Sequence, residues 1–319
     1  MYTETMLLPA LPQLIRDFNL SYNTSSWILS AYLVAGAVMT PVSGKLSDMY
    51  GKKRIIVILI SIYIVGLIIS PFSTDYFTLL ISRILQGIGI SVFPVTFGLV
   101  RERFPREKLA ISQGIISSMF AGGSVLGLAI GGTIVQFYGW RLTFFSIIPI
   151  AICLIIVIIK FIPTEKKQIE TTKIKQKDPS QKFDILGSIF LGVSIISFLL
   201  FITFLRTNSF GYNDDPLESI WVPINSLYFL IIFIGSFIAF LLYERRTKFP
   251  IISSNLFLER RILSANIILL FVGMFMFTVF QTLPILIQSP YPVGFGNNAV
   301  QMSLVQMPFA LVLLILGPL

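Results

Sequence analysis

Apolar runs long enough to cross a membrane recur through this chain and constrain its fold more than any other feature. A bilayer core about 30 Å thick takes about 20 apolar helical residues to span. Runs of that kind lie at about 27–44, 55–72, 76–99, 109–135, 141–162, 184–206, 221–243 and 263–288. Residues 1–15 and about 299–319 are apolar as well. Met1 to Ile15 has no positively charged n-region, so it is not a signal peptide but the second half of a first spanning helix. The expectation is an all-α polytopic membrane protein with about ten transmembrane helices present, cut from a longer chain at both ends.

Composition narrows the function classes. Of 319 residues, 55% are hydrophobic and 12% charged, the latter about half the usual share of a soluble domain. There is no histidine and one cysteine, Cys153. The usual general base, the commonest metal ligand and any intrachain disulfide are thereby removed. We expect no catalytic set, no metal site and no cofactor, and the chain has no phosphate-binding loop of the ATP-hydrolysing type.

The formal charge of +9 could indicate nucleic acid, but the placement of the basic residues argues for a membrane. One set of alternate connections holds Lys45, Lys52, Lys53 and Arg54, then Arg101, Arg103, Arg106 and Lys108. It continues with Lys160, Lys166, Lys167, Lys173, Lys175, Lys177 and Lys182, then Arg245, Arg246, Lys248, Arg260 and Arg261. The opposite connections hold only Arg16, Arg141 and Arg206, and Arg83 lies inside a span. By the positive-inside rule the crowded side is cytosolic and the first helix runs outward. Residues 163–182 are polar and form a cytosolic linker; 207–219, with Asp214, Asp215 and Glu218, is acidic and falls outside.

The connection after the second span reads Gly44-Lys45-Leu46-Ser47-Asp48-Met49-Tyr50-Gly51-Lys52-Lys53-Arg54. It resembles the G-x-x-x-D-[RK]-x-G-[RK]-[RK] signature of the major facilitator superfamily, with Met49 where a basic residue is usual. Gly44 is expected to let two helix ends approach, Gly51 to permit a tight turn, and Asp48 to be an acid buried among cations. The resemblance implies that Asp48 pairs with neighbouring bases and a helix of the other half, so that Gly44, Asp48, Gly51, Lys52, Lys53 and Arg54 latch one conformation. The plainer alternative is a positive-inside anchor.

Further along, Arg83-Ile84-Leu85-Gln86-Gly87 resembles the family's R-x-x-Q-G pattern. A guanidinium cannot be neutralised at accessible pH, and inside a bilayer it must be paired or face water. Arg83 is therefore a functional candidate, the alternative being an arginine snorkelling to the surface. Gly123, Gly127, Gly131 and Gly132 resemble the antiporter signature G-x-x-x-G-P-x-x-G-G, with Leu128 in the proline position. Their spacing puts small residues on one helix face for close packing. Trp140-Arg141, Phe144 and Pro149 resemble the W-R-x-x-F-x-x-x-x-P start of the sixth helix in multidrug exporters; an interfacial anchor would also contain Trp140 and Arg141.

At the start of the chain, Glu4-Thr5-Met6-Leu7-Leu8-Pro9-Ala10-Leu11-Pro12 resembles the exporter pattern D-x-T-x-x-x-x-A-L-P. Aligned on Ala10-Leu11-Pro12, the family acid falls at Thr3, so Glu4 is one place off, a rotation of about 100° on a helix. An intramembrane acid is a candidate for proton coupling or cation recognition; the alternative is a helix-end carboxylate. Phe183-Asp184 resembles the F-D-x-x-G start of the seventh helix in the fourteen-helix drug/proton antiporter branch. Residues 243–250 carry no second glycine-and-acid signature, which favours that branch. Leu283-Pro284-Ile285-Leu286-Ile287 echoes Leu11-Pro12-Gln13-Leu14-Ile15, as a second bundle would. Gly317-Pro318 then corresponds to the region of Pro41 to Gly44.

The resemblance implies a six-helix bundle over 1–162, a linker over 163–183, an extra helix pair over 184–243 and the start of a second bundle over 244–319. It implies a monomeric secondary active transporter in the cell membrane, driven by the proton gradient and exporting drugs or other amphipathic or cationic small molecules. Glu4 would carry the proton, Arg83 would tune it or bind substrate, and Gln86, Gly87 and the later glycines would pack helices. Tyr32, Met39, Met119 and Phe120 would line an adaptable pocket. A metabolite or sugar carrier of the same superfamily, or a non-transporting anchor or sensor, is the alternative.

Overall fold

The computed structural model describes residues 1–20, 22–162, 184–209, 218–247, 259–289, 291–292 and 294–316. The linker 163–183, Asp214 and Asp215, Lys248 to Pro250 and Gly317-Pro318 lie outside the described residues. The helices are α1 (Tyr2–Thr5), α2 (Leu11–Asp17), α3 (Tyr22–Tyr50), α4 (Lys52–Ile69), α5 (Tyr76–Ile90) and α6 (Val92–Arg103). They are followed by α7 (Arg106–Tyr138), α8 (Trp140–Phe161), α9 (Ile185–Ser209), α10 (Glu218–Arg246), α11 (Arg260–Gln288) and α12 (Ala299–Leu316). Among the described residues there is no strand, and seven stretches are long and apolar enough to cross a membrane. The protein is an all-α, multi-pass membrane protein.

On α5 burial is largely the reverse of that in a soluble helix. Ile81, Ile84 and Phe77 of α5 face outward while Ser82, Arg83 and Gln86 of the same helix are buried. With hydrocarbon as the surrounding solvent, apolar side chains lose nothing by facing out, and polar ones must find partners within the bundle.

Two expected spans are interrupted. Residues 1–15 do not form one helix: α1 gives way to a 3-10 turn, Leu8–Ala10, before α2 begins. Pro9 and Pro12 lie in the first turns of these two segments, where their missing N–H groups are tolerated. The span at 76–99 breaks at Ser91, between α5 and α6. Pro94 opposes the carbonyl of Ile90 there, and the Ser91 hydroxyl donates to the Ile88 carbonyl at 2.7 Å. Pro41, Pro149, Pro284 and Pro308, by contrast, lie inside uninterrupted helices. In membrane helices neighbouring groups can satisfy the freed carbonyl.

Helix α7 is the seam. It runs unbroken for 33 residues with Leu128 fully buried, packed against α1 and α12. A Cβ at Gly127 would lie 2.5 Å from the Tyr2 carbonyl, and one at Gly131 2.6 Å from Met6 Cα. A Cβ at Gly132 would meet the Ala299 carbonyl at 2.9 Å. Gly123 is less confined, its nearest neighbours standing at 3.5 Å. Helices α3, α4 and α5 pack together, α8 covers α4, and α9 pairs with α10. The main apolar cluster joins Met6, Leu7, Leu14, Ile28, Leu128, Trp140, Phe144 and Met302; it surrounds the first segment and holds α1 and α2 inside the bundle.

Candidate functional site

The polar residues of α5 converge on one buried chamber. Arg83 is completely buried. Its Nε donates to the Ile28 carbonyl at 3.0 Å and its Nη1 to Gln86 Oε1 at 2.7 Å. Gln86 Nε2 in turn donates to Ser70 Oγ at 2.7 Å and to the Gly66 carbonyl at 3.2 Å, and Ser70 Oγ shares a 2.9 Å hydrogen bond with Ser82 Oγ. The guanidinium carbon sits 4.6 Å from the centre of the Tyr32 ring, a cation–π contact that is strongest where water is excluded. Arg83 therefore does not snorkel; its neighbours fix it in place.

This arrangement depends on close approach by α3, α4 and α5. A Cβ at Gly87 would strike the Tyr32 carbonyl and lie 2.8 Å from Ala35 Cβ, and one at Gly66 would lie 2.8 Å from the Ser82 carbonyl. Gly87 is thus the contact that lets α3 present the Ile28 carbonyl and the Tyr32 ring to Arg83. The R-x-x-Q-G spacing acquires a physical meaning: cation, orienting amide and close-packing glycine on one face of α5.

Glu4 reaches the same chamber from α1. Glu4 Oε2 and Arg83 Nη2 are both buried without a hydrogen-bond partner. Tyr32 and Tyr63 border the chamber, the first under the Arg83 guanidinium and the second bonded to Thr3 beside Glu4, yet the ion pairs among the described residues do not include Glu4 or Arg83. Thr3, the position of the family acid, is buried and hydrogen-bonded to the Tyr63 hydroxyl. An uncommitted carboxylate oxygen and an uncommitted N–H thus lie in one buried cluster, where the carboxylate can take up a proton.

The loop after α3 differs from expectation at two positions. Asp48 is not buried among cations: its side chain is 71% exposed and, among the described residues, its ion pair is with Lys52 Nζ at 3.5 Å. The buried member is Lys52, whose stem lies along α6, with Cε 3.0 Å from a Cβ placed at Gly98, and whose ammonium pairs with Glu102. Asp48 ends α3 at the water-facing edge, where its short side chain remains hydrated; the long lysine stem covers apolar surface and carries its charge across. Gly44 does not mediate a close approach either, since a Cβ there meets nothing within 4 Å. Gly51 does behave as expected, with φ +95° and its N–H donating to the Ser47 carbonyl at 3.0 Å. Lys53 Nζ donates to the Ile159 carbonyl near the end of α8 at 2.8 Å, and Arg54 is exposed.

On the opposite side, Trp140 Nε1 donates to Asp17 Oδ2 at 2.8 Å and Arg141 Nη1 lies 3.6 Å from the same oxygen. This clamp ties α2 to the start of α8. Asp184 caps α9 by accepting the Gly187 N–H at 2.8 Å. Of the expected pocket residues, Tyr32 is buried in the chamber and Met39 is partly buried, whereas Met119 is 69% exposed and Phe120 packs edge-on against Phe93.

Residues 1–312 match the model of the Major Facilitator Superfamily. The chain belongs to that family. Multidrug resistance protein 3 of Bacillus subtilis is 29% identical over 306 residues, covering 96% of this chain and 55% of its own length. Multidrug transporter protein MdtP of the same organism is 26% identical over 300 residues, covering 94% of this chain and 52% of its own. An uncharacterised transporter of the superfamily in B. subtilis, YhcA, is 26% identical over 316 residues, covering 99% of this chain and 55% of its own. The chain spans about half the length of the curated relatives it matches. Membership makes this a multi-pass protein of the cell membrane from a transporter family, not an enzyme.

Three contributors were missed by sequence reasoning. Tyr63 lies in an apolar run and carries no motif, and Ser70 resembles an ordinary helix-end serine. Glu102 sits between Arg101 and Arg103. The available signal was that two acids, Glu102 and Glu107, stand among the basic residues of that connection.

Proposed function

We propose that the chain forms the larger part of a proton-coupled secondary active transporter that exports amphipathic or cationic small molecules by alternating access. The observation that carries this is the buried chamber in which Glu4 and Arg83 each keep one polar atom unsatisfied. Leaving such groups unpaired is costly, and a transporter recovers that cost when a proton or substrate enters. Glu4 takes and releases the proton, and Arg83, held by Gln86 and the Ile28 carbonyl, contributes to the electrostatic field it feels. The names of two relatives, a multidrug resistance protein and a multidrug transporter, support the substrate class. The proposed organisation is a bundle over 1–162, a linker over 163–183, an extra pair over 184–243 and a second bundle beginning at 244, working as a monomer. Lys52 with Glu102, beside Asp48, holds the cytosolic ends of α3, α4 and α6 together as a latch.

The test is proton-gradient-driven dye efflux by the full-length protein in inverted membrane vesicles. Glu4→Gln should abolish gradient-driven efflux at unchanged expression while leaving downhill substrate exchange intact. Full gradient-driven efflux in that variant would refute the role of Glu4.

A further inference from the structure

A cavity of about 490 Å³ lies away from the Glu4 cluster, at the ends of α2, α7, α11 and α12. Its volume falls in the range of small-molecule sites, about 300–1,000 Å³. Two of its walls are corresponding faces of the sequence echo. Pro12, Gln13 and Arg16 line it from α2, and Pro284, Ile285 and Gln288, the equivalent positions after Leu283, line it from α11. The repeat thus places the same helical face of each copy on one cavity, with a cation in the first copy and an amide in the second.

The chemistry of the lining is one-sided. Leu11, Ile15 and the prolines make it apolar, and none of its lining residues is an acid. Arg16 is exposed and takes part in none of the ion pairs among the described residues. The neighbouring acid, Asp17, is occupied by Trp140 and Arg141, so it does not neutralise Arg16. Gln288 has its Nε2 buried without a hydrogen-bond partner. Gln136 and Asn298, on the remaining walls, spend their side-chain oxygens on the Val300 and Gln301 N–H groups. An unneutralised cation, Arg16, and the unpaired amide of Gln288 therefore stand at a part-open cavity whose lining contains no carboxylate.

We infer that this cavity binds an amphipathic anion, its carboxylate or phosphate held by Arg16 and Gln288 and its hydrocarbon against the paired prolines. The cluster at Glu4 sets a carboxylate beside the Arg83 guanidinium, whereas this cavity is lined by a cation and no acid, so the two sites differ in charge. The inference does not depend on proton coupling.

The test is fluorescence titration of 11-(dansylamino)undecanoic acid into the full-length protein in phosphatidylcholine nanodiscs. Saturable binding is expected, weakened about tenfold or more in Arg16→Gln and less in Arg16→Lys. Gln288→Phe, which fills the cavity, should weaken it as well. The methyl ester should bind poorly, and Glu4→Gln should bind as the parent does. Phosphatidylglycerol in the nanodisc separates the sources: displacement of the probe identifies a lipid headgroup as the ligand, and its absence identifies a free amphiphile. Unchanged binding in both Arg16→Gln and Gln288→Phe, equal binding of the ester, or loss of binding in Glu4→Gln would overturn the assignment.

Discussion

The chamber around Arg83 and the loop around Lys52 were both legible as family motifs, yet only the chamber has its residues where the spacing alone placed them. In the chamber, Arg83, Gln86 and Gly87 occupy one face of α5 and take their partners from that helix, from α3 and from α4 and the turn after it. In the loop, Asp48 is left in water and the acid that matters to Lys52 comes from another helix, as Glu102. The difference lies in the solvent. A polar group surrounded by hydrocarbon has few partners and must take them, whereas a charge at the aqueous edge is satisfied by water and can be left or used as packing requires.

The sharpest way to break that comparison is at Arg83. Arg83→Met removes the donor to the Ile28 carbonyl and to Gln86, each worth about 1–3 kcal/mol when left buried and unpaired. Transport should be lost and the thermal midpoint of the purified protein should fall. Arg83→Lys should not restore activity, because one ammonium cannot reproduce the planar fork; full transport in that variant would remove the chamber's claim to strict geometry.

Glycines offer the next test. Gly131→Leu forces a side chain into Met6 and should cost about 1–3 kcal/mol or more by overpacking, seen as a lower unfolding temperature in detergent. Gly44→Ala, with open space around it, should instead gain about 0.5–1 kcal/mol from helix propensity. At the loop, Lys52→Met should release the contact to Glu102 and shift the balance between the two transport conformations, measured by accessibility of a cysteine introduced on each side. Asp48→Asn should do less, since its carboxylate is mostly exposed and such pairs are worth below about 1 kcal/mol. If the order is reversed, Asp48 has the partner in the rest of the protein that the family pattern implies.

The smallest effect is expected at Asp75, which caps α5. Its carboxyl is held below the usual range by hydrogen bonds from the Thr78 hydroxyl and N–H. A lowered value means that its contribution is complete above the unfolded-state value and fades as pH falls through the folded one. The small stability gap between the parent and Asp75→Asn should therefore close on acidification, read from melting curves across acidic pH.

How much was legible depended on the kind of signal. Span positions were visible because 20-residue apolar runs have few other uses, and eight of them return as helical stretches. The interruptions at Leu8–Ala10 and Ser91 were not, because Pro9, Pro12 and Pro94 look no different in sequence from Pro41 or Pro284, which their helices absorb. The glycine face of α7 was legible as a packing surface, but its partners, Tyr2 and Met6 on one side and Ala299 and Ser303 on the other, lie more than a hundred residues away. The faint Leu-Pro echo gained meaning only when both copies met on the cavity.

The sequence by itself determined the solvent, the position of most spans, and the need of Arg83 for internal partners. These follow from local composition, because transfer into a bilayer is priced residue by residue. Only the tertiary structure decided that Glu4 rather than Thr3 leaves an oxygen free in the Arg83 chamber, that Glu102 rather than Asp48 is the acid across from buried Lys52, and that Arg16 is left unneutralised over a cavity. Those outcomes depend on which distant helix supplies the partner, and contacts between helices fix that choice.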